Sequence, residues 1–81
     1  MSAWDDGQVK LFAKQIADDY KTAWWSFHAK IRDALVSHHV LMILLSQRGQ
    51  GPGSLHRDDV RELRTLIVQK LADKHNMRIE S

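Results

Sequence analysis

Cysteine is absent from this chain of 81 residues, which removes disulfides, thiolate metal sites and thiol catalysis. Together with the lack of a cationic lead-in followed by an apolar stretch, this points to no signal peptide and a reducing, cytoplasmic setting. Proline occurs once, at Pro52, and three of the four glycines crowd around it at Gly49, Gly51 and Gly53. Long apolar runs are missing too. The longest is Val40 to Leu45, and the wider segment Ala34 to Leu45 is interrupted by Ser37, His38 and His39. A membrane crossing needs ~20 apolar residues, so a buried helix and no membrane partner are expected. Charge of one sign is also scarce: 12 basic against 10 acidic residues leave a net +2, a weak argument for nucleic acid. A chain this short makes a single domain with a marginal core, which metal binding or oligomerisation commonly reinforces.

What is present is helix. Gln8 to Gln47 contains neither Gly nor Pro. At 100° per residue, Val9, Phe12, Ala13, Ile16, Ala17, Tyr20, Ala23, Trp24, Phe27, Ile31, Ala34, Leu35, His38, Leu41, Met42 and Leu45 fall on one face, the pattern of an amphipathic α-helix. A second apolar stripe appears in the later half: Trp25, Ala29, Val36, Val40 and Ile43, broken by Arg32. The first half therefore has one face to bury and the second half has two. Asp5 or Asp6 suits the N-cap. Two courses fit a helix over residues 6–47. One is a single rod of about forty residues, near 60 Å long, and the steady phase of the main face favours it. The other breaks near residues 19–22, where propensity falls and Thr22 offers a cap.

Residues 48–54 form a Gly/Pro turn, with Gly49 as the residue after the helix end and Arg48 suited to its C-terminus. Ser54 then caps a helix over residues 55–75 whose apolar face is Val60, Leu63, Leu66, Ile67 and Leu71; Asn76 stops it, and Met77 to Ser81 are expected to fray. The fold is thus all-α: a long central helix plus an antiparallel C-terminal helix. The second helix covers only half of a forty-residue rod, so the bundle is expected to be completed by dimerisation; a break instead allows a three-helix monomer.

Five histidines invite a metal or acid–base reading, yet none has ligand spacing, and His-Glu-x-x-His and Glu-x-x-His are both missing. His38 lies mid-stripe and reads as a core or interface histidine. The pairs Asp5-Asp6, Asp18-Asp19 and Asp58-Asp59 diverge by 100° on a helix, and two of them sit at helix starts where the dipole explains them. Gly49 to Gly53 lacks the Lys-Ser/Thr of a phosphate loop, and no strained turn presents a nucleophile. The expectation is therefore no catalytic residue, no metal, no cofactor and no small-molecule substrate.

Binding surfaces remain. Trp25 is read as an interface anchor, with Ala29, Val36, Val40 and Ile43 beside it and Trp24, Phe27 and His38 contributing from the main face. Lys10, Lys14, Lys21 and Arg32, with His28 and His39, share a narrow stripe that spans about 33 Å on a continuous helix. Arg57, Arg61 and Arg64 recur at i, i+4 and i+7. These rows suit phosphates or an acidic protein, although charges so widely spaced also describe an ordinary solvated face. The sequence thus reads as a small non-enzymatic interaction protein, a regulator or inhibitor working as a homodimer or on another protein. Nucleic-acid binding through the basic rows is the second reading.

Overall fold

Helix α1 (Asp6–Tyr20) begins on a capping box. The Asp5 carboxylate accepts from the Gln8 amide at 2.8 Å, and the Gln8 side-chain oxygen accepts from the Asp5 amide at 3.2 Å. Two orphan donors of the first turn are thereby satisfied. Asp6, left out of the cap, accepts from Lys70 at 2.7 Å and pairs with Lys10 at 3.5 Å. The computed structural model describes residues 4–48 and 56–80; the Gly/Pro turn with Gly49 and the Ser54 cap lie outside them.

The forty-residue rod does not exist. From Lys21 to Ser26 the backbone tightens into a 3-10 helix, and Phe27 is extended at φ −83°, ψ 143°. The Ser26 hydroxyl donates to the Ala23 carbonyl at 2.6 Å. Helix α2 (Ala29–Arg48) then starts afresh. Its cap is His28 rather than Thr22: His28 Nδ1 accepts from the Lys30 amide at 3.2 Å, and its carbonyl accepts from Ile31 and Arg32. The physical cause of the turn is Trp24. Its side chain is fully buried, and its indole N–H donates to the Arg78 carbonyl at 2.7 Å. A bulky aromatic that fills the core and finds a partner for its polar edge outweighs the propensity of an unbroken helix. The longest dimension of the molecule is 34 Å, far short of the rod's ~60 Å.

Helix α3 (Arg57–His75) starts from His56 and ends where Asn76 turns left-handed, at φ 53°, ψ 38°. The Met77 amide reaches back to the Leu71 carbonyl at 3.0 Å, closing the helix end over the left-handed Asn76. The expected fraying of the tail is corrected. Met77 is buried, Ile79 packs on the core, and Arg78 holds the Trp24 indole. The fold is all-α, with no strand among the described residues. Helix α3 lies against both α1 and α2 and makes the principal interhelical contacts of each. Between them sit Val9, Phe12 and Ile16 of α1, Val36, Val40 and Leu44 of α2, and Leu63, Ile67 and Leu71 of α3.

The 3-10 turns and the extended Phe27 reset the helical phase, so the wheel drawn from Val9 to Ala17 does not carry into α2. Val36 and Val40, read as part of an interface stripe, are fully buried. Ile31, Ala34, Leu41 and Met42, read on the face to be covered by the C-terminal helix, and His38, read as a core or interface histidine, are exposed.

Candidate functional site

Seven side chains make up the outward face of α2: Ile31, Ala34, Leu35, His38, Leu41, Met42 and Leu45. At 100° per residue they fall within an arc of about 120° opposite Val36 and Val40, and no charged residue of the helix enters that arc. Ile31, Leu41 and Met42 are 50, 39 and 52% exposed; Ala34 and His38 are exposed, Leu35 and Leu45 half-buried. A helix apolar on two opposite faces ordinarily has both of them covered. Here the chain's own fold encloses only one. Toward α1 the face runs into a shallow groove lined by Phe12, Gln15, His39, Met42 and Ile43.

The residues expected to form an interface are thus distributed between core and surface. Val36, Val40 and Trp24 have no accessible area and hold the fold together. Ile43 and Phe27 are partly buried against that core, Phe27 edge-to-face with Tyr20 at 6.5 Å, and Ala29 is half-buried. Trp25 is 49% exposed, and the Arg32 guanidinium stacks over its ring at 4.8 Å. Arg32 is only 6% exposed, and its Nε and Nη1 have no hydrogen-bond partner. The ring face supplies part of the missing compensation, but a buried guanidinium without an anion remains costly. His38 stands in solvent, its ring 5.9 Å from that of His39. His39 turns inward instead, with Nε2 3.3 Å from the Tyr20 hydroxyl. Burial pushes its pKa down, His38 adds to that, and Asp19 opposes it.

The basic residues are also regrouped. The Lys10-to-Arg32 row is broken by the turn, with Arg32 buried behind Trp25. In its place Lys10, Lys14 and Lys21 of the first half meet Lys70, Lys74 and His75 of α3 around an open groove of about 520 Å³. Lys14 pairs with Asp18 at 2.7 Å, and the Lys70–Asp6 contact holds the Asp6 carboxyl below the usual range. Arg64 departs from its expected row. It pairs with Asp33 of α2 and lies 3.4 Å from the Ser37 hydroxyl, while Arg57 and Arg61 remain exposed. Sequence reasoning missed Lys70, Lys74 and His75, which carry no signal of nearness to Lys14 across more than fifty intervening residues.

Among the described residues no group of three or more His, Asp or Glu is placed to hold a metal ion, and no helix is long and apolar enough to cross a membrane. No family model, curated protein or solved structure matches this chain.

Proposed function

We propose that this chain is a small non-enzymatic interaction protein whose working surface is the outer face of α2. The observation that carries the reading is the uncharged, solvent-facing arc centred on His38. On a folded chain of this size, such a contiguous apolar arc marks a docking surface. Docking there works by desolvating Ile31, Leu41 and Met42 against a partner's apolar groups, with polar residues at the rim setting orientation.

The test compares the parent with Leu41→Asp, an exposed position whose change leaves the core untouched. An environment-sensitive anilinonaphthalene dye should bind the uncovered face of the dilute parent. The variant should lose most of that fluorescence while keeping its helical circular dichroism. Equal and negligible dye binding by both would remove the α2 face as a working surface.

A second reading, phosphate binding, draws on the groove where five lysines from α1, the 3-10 helix and α3 converge, with Asp6, Asp18 and Asp73 as nearby counter-charges. It requires a duplex or single strand to bind with an affinity that falls steeply as salt rises. Lys74→Glu should weaken that binding, and absence of binding at low salt removes this reading.

A further inference from the structure

The outer arc of α2 carries an apolar side chain at each matched distance on either side of His38. Measured from His38, its members lie at ±3 (Leu35, Leu41), ±4 (Ala34, Met42) and ±7 (Ile31, Leu45). We infer that a second copy of this chain covers the face, α2 against α2, antiparallel, about a two-fold axis passing through His38. This rests on the α2 face being the working surface and identifies what occupies it.

In an antiparallel pair related by a two-fold, residue 38+n of one copy lies level with residue 38−n of the other. Leu35 then packs beside the partner's Met42 and Ala34 beside the partner's Leu41, because these share a flank of the seam, and Ile31 meets the partner's Leu45 near its centre line, each contact made twice. His38 faces its own mate at the centre. Every apolar group finds an apolar group, as an isologous interface demands. Small against large at Ala34–Leu41 lets two α-helices interlock at the usual 8–10 Å separation. No charge is desolvated, because none lies in the arc. The antiparallel sense also sets each helix N-terminus beside the other's C-terminus, which the helix dipoles favour.

Area argues for the same occupant. The stripe runs about 21 Å, from Ile31 to Leu45. From the observed exposures it offers on the order of 450 Å², so two copies remove about 900 Å² of largely apolar surface, and a polar rim in the usual proportion raises the total to about 1,300 Å². That lies at the lower end of specific interfaces and fits a concentration-dependent dimer rather than a permanent one.

Because the chain has no cysteine, introduced thiols are the only ones, and neither exposed Ile31 nor half-buried Leu45 belongs to the core. In the proposed register Ile31 of one copy lies beside Leu45 of the other, whereas the two Ile31 side chains are separated by about 21 Å along the axis. Mixed Ile31→Cys and Leu45→Cys proteins should oxidise to a covalent heterodimer at least tenfold faster than either forms a homodimer alone. Solution mass should rise from monomer to dimer with concentration, and Leu41→Asp, placing two charges in the seam, should raise the dissociation constant at least about hundredfold.

Rapid homodimers of Ile31→Cys alone mean parallel pairing and overturn the register. A monomeric mass at every concentration, with no cross-link, overturns self-pairing altogether. A monomer that still binds the dye leaves the face open for a foreign partner, so this failure is distinct from failure of the function proposed above, in which the dye does not bind.

Discussion

Helices α1 and α2 both place apolar side chains on the shared core, but they present opposite surfaces to water. The outside of α1 carries Asp6, Lys10, Lys14 and Asp18, tied into ion pairs at i, i+4, with Leu11 the one large exposed apolar residue. The outside of α2 carries no charge over the fifteen residues from Ile31 to Leu45 except at its edges. Helix α1 is finished by its own fold and α2 is not. An ordinary amphipathic helix ends its energetics at the core; one apolar on both sides still has surface to remove from water.

The sharpest way to break this comparison is to make the same substitution on the two faces of α2. Leu44→Ala, at a fully buried position, should cost about 2–5 kcal/mol of unfolding free energy. Leu41→Ala, three residues away and 39% exposed, should cost under about 0.5 kcal/mol at protein concentrations low enough to keep the chain monomeric. Urea denaturation of both reads the difference directly. Equal losses would show that the outer face is already covered within the monomer.

A smaller effect of opposite sign is expected at Arg32. Its buried guanidinium has two nitrogens without partners, so Arg32→Met, apolar and of similar length, should stabilise the fold by about 1 kcal/mol. A clear loss would mean that the stacking on Trp25 contributes more than the desolvation costs. At the start of α1, Asp5→Ala removes the capping box and should cost about 1 kcal/mol, measured as a lower denaturation midpoint with unchanged slope. No comparable side-chain cap holds α3, where His56 makes no such bond, so His56→Ala should fall within about 0.5 kcal/mol of the parent.

The smallest effect concerns pH at the α1–α2 junction. The pKa of His39 is lowered in the fold, first by burial and then by His38. The unfolded chain therefore binds a proton there more readily than the folded one. The sign follows: stability is highest where His39 is neutral in both states, and declines as pH falls from the ordinary histidine value near 6.5 toward the lowered folded value. His39→Gln should flatten that part of the stability–pH curve. A slope of the same size in the variant would place its origin elsewhere.

Much of this molecule was readable from local chemistry. All-α character follows from forty residues without Gly or Pro. The cap at Asp5 follows from an acceptor three residues before Gln8, and the stop at Asn76 from its tolerance of the left-handed region. The inner face of α3 was legible for the same reason, since Leu63, Ile67 and Leu71 repeat at one period with charges around them. The two faces of α2 were not. Ile31, Leu35 and Leu41 on one side and Val36, Val40 and Ile43 on the other are equally suited to a core, and periodicity has no means of ranking them.

That choice was made at a distance. Burying the Trp24 indole and pairing its N–H with Arg78, at the far end of the chain, requires the turn at residues 21–28, and that turn rotates α2 so that Val36 and Val40 face inward. The same long-range packing brings Lys70 and Lys74 beside Lys14, and draws Arg64 away to Asp33. Sequence alone determined that the chain is helical and where two of its helices begin or end, because caps and periods are interactions between near neighbours. Which apolar stripe is core and which is surface was decided only by tertiary structure, because it depends on a contact between residues 54 positions apart.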